Sequence, residues 1–171
     1  LNLDIKQHEL FGLLGVNGAG KTTTIRMICC LLKPTSGDIM VEGKSINNPD
    51  MEMEIKKMIN LSPQETTIAD GLTVKENLQL MAGLYGLEAD KAEANVERII
   101  KDFDLSEIAG DMAKTLSGGW QRRLSIAMAL VTEPEILFLD EPTLGLDVIA
   151  RRELWDTIRA LKQKMTIVLT T

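Results

Sequence analysis

Short runs of apolar residues alternate along this chain with longer segments in which apolar residues recur every three or four positions. The first pattern predicts buried strands, and the second predicts amphipathic helices. Strands that alternate with helices favour a doubly wound α/β fold on a parallel sheet. The predicted strands are a first one in which Leu1, Leu3 and Ile5 alternate, then 10–14, 38–41, 58–62, 135–140 and 166–170.

The helical pattern is concentrated in one part of the chain. Between residues 66 and 116 the β-branched runs vanish, which indicates a helical insert in an otherwise α/β core. We expect a single domain in which residues 1–65 and 131–171 form the core and residues 66–130 a helical subdomain. The chain begins and ends inside predicted strands, so we expect a fragment of a longer chain. The predicted helices are 21–32, 52–57, 73–85, 91–103, one that turns Leu124, Ala127, Met128 and Val131 inward, and 148–162.

A glycine-rich segment follows strand 10–14 and fits the Walker A pattern, with Gly15, Gly20, Lys21 and Thr22 at its defined positions. Glycine permits positive φ angles, so successive amide groups and the next helix N-terminus can surround one phosphate. Lys21 adds charge for the β- and γ-phosphates, and the Thr22 hydroxyl suits Mg²⁺. A turn that binds nothing is the alternative interpretation. The segment predicts a P-loop NTPase (RecA-like) fold. Its predicted nucleotide-binding residues are Gly15, Asn17, Gly18, Ala19, Gly20, Lys21, Thr22 and Thr23.

Two carboxylates end the apolar strand 135–140. Burying Asp140 at the end of such a strand is costly without a charged partner, which predicts an Mg²⁺ ligand. Glu141 follows and is the natural general base for water that attacks the γ-phosphate. Because ligands of parallel sheets bind at the carboxyl ends of the strands, we expect these residues to meet the phosphate loop. A surface Asp-Glu pair before Pro142 is the alternative.

Composition narrows the class of protein. The chain has 171 residues, 44% of them hydrophobic, which suffices for one well-cored domain. Its net charge of −6 argues against a nucleic-acid partner, which requires a basic face. No run reaches the roughly 18 apolar residues of a membrane helix, and we expect no signal peptide. The adjacent Cys29 and Cys30 predict reduced thiols and a cytosolic setting.

The phosphate loop, the turn Ser117-Gly118-Gly119 and the strand ending in Asp140 and Glu141 together resemble the nucleotide-binding domain of ABC transporters. The resemblance covers essentially the whole chain. It implies that Ser117, Gly118 and Gly119 bind the γ-phosphate of ATP held by another protomer. A serine hydroxyl, glycine amides and a helix N-terminus suit that anion. An ordinary N-cap at Ser117 is the alternative.

Two further residues acquire roles only through this resemblance. Gln64 is similar to the Q-loop glutamine, which touches the metal or the attacking water and connects the helical insert to the membrane partner. Asp147, in Leu144-Gly145-Leu146-Asp147, is similar to the D-loop aspartate at the dimer interface. A solvated surface glutamine and a helix N-cap are the respective alternatives, and Asp147 can fill both roles.

The chain departs from the family pattern at Trp120, where glutamine is usual. Phosphate binding is expected to survive there. The family's switch histidine would follow Thr171, and an adenine-stacking aromatic would precede Leu1. His8 is expected to be structural, in a turn between the first two strands. The segments 71–78 and 150–155, close to the motifs, resemble the ABC-2 type drug- or ion-exporter branch.

The favoured hypothesis is an ATPase subunit that dimerises around two Mg²⁺–ATP and drives separate transmembrane permease subunits from the cytoplasmic face of the membrane. A soluble non-transport ABC ATPase of the translation or DNA-repair type is the alternative. A GTPase or small-molecule kinase is weaker, since no Asn-Lys-x-Asp guanine-binding segment appears. A further alternative is that this fragment is folded but inactive. The sequence does not indicate which cargo is transported or in which direction. It also does not indicate whether the two protomers are identical.

Overall fold

A parallel four-stranded sheet organises the structure, a computed structural model that describes residues 2–171. The order of its strands is β1-β6-β5-β4, and the register pairs Leu13 with Thr170 and Leu139 with Leu169. All five residues of β6 are buried, as expected for a strand with neighbours on both edges and layers on both faces. The predicted parallel α/β fold is confirmed. The strands of this sheet are β1 (Leu10–Leu13), β4 (Ile59–Ser62), β5 (Ile136–Leu139) and β6 (Thr166–Thr170).

Two apolar clusters cover the two faces of the sheet. One joins Phe138 and Val168 to helices α1 (Lys21–Ile28) and α2 (Pro49–Met58) through Ile25 and Ile55. The other joins Leu137 and Ile167 to the remaining helices. These helices are α3 (Val74–Leu84), α4 (Ala89–Asp102), α5 (Gly118–Leu130) and α6 (Val148–Leu161).

The helical segment between β4 and β5 contains α3, α4 and α5. A capping box begins α3: the Thr73 hydroxyl accepts from the Glu76 amide, and the Glu76 carboxylate accepts from the Thr73 amide. These hydrogen bonds hold the pKa of Glu76 below its ordinary value. The predicted inward residues of α5 are buried, and so are its other residues from Arg122 to Leu130. That helix therefore lies inside the protein and carries polar side chains into it.

Several predicted boundaries were wrong. Helix α1 ends at Ile28 and not at residue 32, because Cys30 has a φ of 56° and cannot continue it. The strand predicted at 38–41 is reduced to β2 (Met40–Val41), which pairs with β3 (Lys44–Ser45) in a small hairpin.

The strand predicted at the start of the chain does not form within residues 2–9. Leu1 lies outside the described residues. Leu3 is exposed, and alternation alone does not make a strand without a neighbour to bond. His8 therefore lies in a turn before β1, exposed, with a φ of 58°, and its amide donates to Thr166 Oγ1 at 2.8 Å.

Candidate nucleotide-binding and hydrolysis site

The loop between β1 and α1 curls around the side chain of Lys21. The ammonium of Lys21 donates to the carbonyl of Gly15 at 2.6 Å and to that of Val16 at 3.4 Å. Only 8% of Lys21 is exposed. Gly18 and Gly20 have φ angles of 83° and 87°, which side-chain-bearing residues rarely adopt. The sequence therefore shapes a cationic concave loop at the carboxyl end of β1.

Gly15 is needed for a different reason. A Cβ atom on Gly15 would lie 3.2 Å from the Cβ of Ala19, tighter than ordinary contact. Asn17, Gly18 and Ala19 are exposed at the rim of the loop. Thr22 is half-buried and Thr23 is exposed, both in the first turn of α1. The loop therefore presents its backbone and its threonine hydroxyls at the helix N-terminus, where an anion is stabilised.

Glu141 lies next to this loop. One of its carboxylate oxygens, Oε1, is 3.7 Å from Lys21 Nζ, and its side chain is 20% exposed. The backbone of Glu141 has a φ of 44°, an uncommon conformation for a residue with a side chain. The carboxyl ends of β1 and β5 thus bring together a nearly buried cation and a carboxylate that is partly open to water.

Asp140 is 3% exposed at the end of β5. Its Oδ1 accepts a hydrogen bond of 2.6 Å from the Thr170 hydroxyl, and the same hydroxyl accepts from the Glu141 amide at 2.9 Å. Thr170 itself is fully buried. One threonine of β6 therefore bonds to both acidic residues that follow β5.

The guanidinium of Arg122 joins α5 to this edge of the sheet. It donates to the backbone carbonyls of Asp140 at 2.8 Å, Pro142 at 3.0 Å and Gln64 at 3.3 Å, and also to that of Pro63. Arg122 is 4% exposed. Burial lowers the pKa of this guanidinium, and the nearby Asp140 carboxylate acts in the opposite direction. A planar cation with several donors suits such a set of fixed carbonyls.

Gln64 follows β4, one strand away from Asp140. Its side chain is exposed, and within residues 2–171 it forms no hydrogen bond with Asp140 or Glu141. Only its backbone is tied to the site, through Arg122. The structure therefore brings Gln64 to the correct edge of the sheet without bringing its amide to the carboxylates.

Within residues 2–171, the turn Ser117-Gly118-Gly119 is not bonded to the phosphate loop. Ser117 occupies the N-cap position of α5, yet its hydroxyl accepts no capping bond from the described part of that helix. By contrast, the N-cap side chains of Asn48, Thr73 and Asp147 all accept such bonds. Ser117 and Gly118 are exposed and Gly119 is half-buried. No hydrogen bond or salt bridge joins this turn to the phosphate loop among the described residues.

Asp147 is exposed at the start of α6, and its Oδ1 accepts from the amides of Ile149 and Ala150 at 2.9 and 3.0 Å. Trp120 is half-buried, and the centroid of its ring lies 4.7 Å from the Arg123 guanidinium carbon. Arg123 in turn forms ion pairs with Asp104 and Glu153. Trp120, which stands where the family usually has glutamine, thus packs against an arginine of α5 that also binds Asp104 and Glu153.

The oxygen groups near the phosphate loop fit Mg²⁺. The Asp140 carboxylate, directly after β5, and the Thr22 hydroxyl, in the first turn of α1, are hard oxygen donors at the carboxyl edge of the sheet. No cluster of three or more His, Cys, Asp or Glu groups that could hold a metal occurs in residues 2–171. Mg²⁺ on a nucleotide requires few protein ligands, because phosphates and water supply the rest. Two oxygen donors therefore suffice for this metal.

Sequence reasoning missed Thr170 and Arg122. Thr170 was recognised only as part of the final strand, although a hydroxyl near the carboxyl end of a buried parallel strand was a signal. Arg122 had no such signal, since it lies about 160° around the helix from Leu124, away from the predicted inward residues, and is buried only because this helix is buried on every side. A buried arginine must find acceptors, and here these are backbone carbonyls of the site.

Comparisons with known proteins agree with this geometry. Residues 1–144 match the family model described as ABC transporter. The daunorubicin/doxorubicin resistance ATP-binding protein DrrA of Streptomyces peucetius is 41% identical over 172 residues, covering 100% of this chain and 51% of DrrA. The chain spans between 10% and 51% of the length of the curated relatives compared. The predicted similarity to the drug- or ion-exporter branch is confirmed.

Solved structures give the same result. CbiO1 of Clostridium perfringens, part of the ABC transporter complex cbiONQ, superposes with a TM-score of 0.91 at 29% identity, over 100% of this chain and 70% of CbiO1. The ATP-binding cassette MJ0796, a dimer in a post-hydrolysis state with ADP and Pi, superposes with a TM-score of 0.85 at 29% identity. The match covers 100% of this chain and 78% of MJ0796. By sequence match, fold and the arrangement of its phosphate loop and carboxylates, the chain belongs to the ABC transporter family.

Proposed function

We propose that this chain binds and hydrolyses Mg²⁺–ATP and that the protein containing it uses this energy for transport. The observation that carries the proposal is the 3.7 Å approach of Lys21 Nζ to Glu141 Oε1. A loop shaped for phosphate thereby lies beside a partly exposed carboxylate that can orient water for attack. MJ0796, a relative solved with ADP and Pi, supports the same reaction.

The residues divide the work between binding and hydrolysis. Amides of the loop from Gly15 to Thr23 hold the phosphates, and the Lys21 ammonium neutralises their charge. Thr22 and Asp140 would hold Mg²⁺, which would supply neutralisation of phosphate charge. Glu141 orients and deprotonates water, and Gln64 approaches that water or the metal.

Two copies would complete each site. In our proposal Ser117, Gly118 and Gly119 bind the γ-phosphate of ATP held by the partner, and Asp147 lies at the interface. The Ser117 hydroxyl, which leaves its own helix uncapped, supports this role because it keeps its acceptor and donor capacity for a ligand. The dimeric state of MJ0796 supports it as well.

The proposed partners are a second nucleotide-binding domain and a separate transmembrane permease subunit. In this arrangement the chain sits at the cytoplasmic face of the membrane, and residues 66–130 carry motion from the core to the permease. The part played by CbiO1 in a transporter complex supports the arrangement. Within residues 2–171, no helix has both the length and the apolarity that crossing a membrane requires.

A Glu141→Gln variant tests the proposal. Loss of the base should stop hydrolysis and leave ATP binding intact, so this variant should accumulate as an ATP-dependent dimer in size-exclusion chromatography with light scattering. Lys21→Ala should lose ATP binding and remain monomeric. A Glu141→Gln protein that stays monomeric with saturating Mg²⁺–ATP, or that turns over ATP at the unaltered rate, contradicts the proposal.

A second pair of variants tests the shared site. Ser117→Arg places a bulky cation on the exposed turn, so it should spare ATP binding by one protomer and abolish turnover. Ser106→Arg is the matched control, because Ser106 is also exposed in the helical segment and lies outside the proposed site. Equal ATPase rates for the two variants would exclude a role for Ser117 in the shared site.

The non-transport alternative predicts a different partner. The names of DrrA and of the cbiONQ complex favour transport. Isolation of the tagged protein from detergent-solubilised membranes distinguishes the two: a transporter subunit should carry a membrane-spanning protein with it in stoichiometric amount. Recovery with ribosomes or DNA-repair proteins instead would favour the alternative.

A further inference from the structure

The hydroxyl of Thr170 connects two groups that the proposed reaction requires. It donates to Asp140 Oδ1 at 2.6 Å and accepts from the Glu141 amide at 2.9 Å. Both distances are those of good hydrogen bonds, and the one to the carboxylate is charge-assisted. A single oxygen therefore fixes the rotamer of one acidic residue and the backbone of the next.

The position of Thr170 in the sheet explains why it can do this. Strand β6 lies between β1 and β5, so its end is flanked by Leu13, which leads into the phosphate loop, and by the end of β5. The Thr171 amide donates to the Leu13 carbonyl, which holds the ends of β6 and β1 side by side. Thr170 is thus a fixed point between the two halves of the site.

Glu141 needs such a fixed point. Its φ of 44° is disfavoured for a residue with a Cβ, and local strain of this kind persists only when neighbouring contacts hold it. The Thr170 hydroxyl is the side-chain acceptor that the Glu141 amide uses. Without it, the backbone can relax towards a negative φ, and the carboxylate then points in a different direction from Lys21.

We propose that Thr170 is a positioning residue for hydrolysis, which aims the Asp140 carboxylate at the metal and the Glu141 carboxylate at the attacking water. The inference rests on the proposed function. It concerns the chain's own hydrogen bonds, so part of it can be tested without nucleotide.

Three variants separate the hydroxyl from the side-chain volume. Thr170→Val keeps the shape and removes the hydroxyl, while Thr170→Ser keeps the hydroxyl and removes a methyl group. Thr166→Val is the matched control: Thr166 is buried in the same strand, and its hydroxyl accepts from the distant His8 amide. Circular dichroism and thermal unfolding establish that each variant is folded. Should Thr170→Val fail to fold, Thr170→Ala takes its place.

The first measurement is hydrogen exchange at the Glu141 amide in the nucleotide-free protein, by NMR or by mass spectrometry of a peptide spanning it. Thr170→Val should raise the exchange rate about tenfold or more, since the amide loses its acceptor. Thr170→Ser and Thr166→Val should keep protection near that of the unaltered protein. Equal protection in Thr170→Val overturns the inference whether or not the protein is an ATPase.

The second measurement is the ATPase rate as a function of ATP and Mg²⁺ concentration. Thr170→Val should lower kcat about 10- to 100-fold, the range found when groups that orient ligands of a metal are removed. It should also raise the Mg²⁺ concentration needed for half-maximal rate, with little change in the affinity for ATP. Thr170→Ser should restore most of the rate. An unaltered kcat in Thr170→Val, or the same loss in Thr166→Val, overturns the inference, whereas absence of turnover in the unaltered protein counts against the proposed function alone.

Discussion

Gly119 of helix α5 lies directly against Ala150 of helix α6: a Cβ atom on Gly119 would lie 3.0 Å from the Cβ of Ala150. Alanine at position 119 should therefore push the helices apart and cost about 1–3 kcal/mol of unfolding free energy. Gly118→Ala is the control, since nothing lies within 4 Å of its added Cβ. Urea unfolding of both variants measures the difference, and equal stabilities would contradict the close packing.

Removal of the Arg122 guanidinium should destabilise the protein and disturb the site. Arg122→Met leaves the buried carbonyls of Asp140 and Pro142 without their donor, at an expected cost of about 2–4 kcal/mol. Arg159→Met removes an exposed cation with one surface ion pair and should change the unfolding free energy by less than about 0.5 kcal/mol. Urea unfolding measures both, and a similar effect in the two variants would contradict the structural role of Arg122.

Trp120 is expected to stabilise the fold through its contact with Arg123. Its ring lies over that guanidinium, so Trp120→Gln should lose the cation–π attraction and part of the buried ring surface, about 1–2 kcal/mol together. Trp120→Phe keeps a ring and should lose less. Thermal unfolding ranks the variants, and affinity for a fluorescent ATP analogue should stay unaltered because the phosphate loop is untouched. An unfolding temperature of Trp120→Gln equal to that of the unaltered protein would show that the contact between Trp120 and Arg123 does not stabilise the fold.

The two cysteines should react slowly with thiol reagents. Burial, together with the neighbouring Cys30, raises the pKa of the Cys29 thiol to about 12. At pH 8 roughly one Cys29 thiol in ten thousand would be ionised, and the thiolate is the reactive form. Burial also raises the pKa of Cys30. Ellman's reagent should therefore label the native protein far more slowly than the urea-unfolded protein, and comparable rates would contradict this environment.

How far the sequence predicts this structure depends on how far apart the interacting residues are. The phosphate loop, the strand ending in Asp140 and the helix predicted at 73–85 were recognisable because each is encoded within a few consecutive residues. The early end of α1 was missed, since it depends on the backbone of one residue, Cys30, whose local composition gave no warning.

The missed parts of the site are long-range contacts. The hydroxyl of Thr170 meets Asp140 from thirty positions away, and Arg122 reaches Pro63 across fifty-nine. No period or motif in one segment encodes a partner in another segment, so only the folded arrangement reveals them. The roles of Ser117 and Asp147 came from the resemblance to a family and stay predictions, the first of which Ser117→Arg tests.

The order of strands also bears on how the protein is made. Strand β6 follows the other five in the sequence and yet sits between β1 and β5. During synthesis, no strand therefore joins the segment carrying Lys21 to the segment carrying Glu141 until residues 166–170 have left the ribosome. A nascent chain halted before that point should neither retain nucleotide nor resist protease, and competence should arrive in one step with the insertion of this strand.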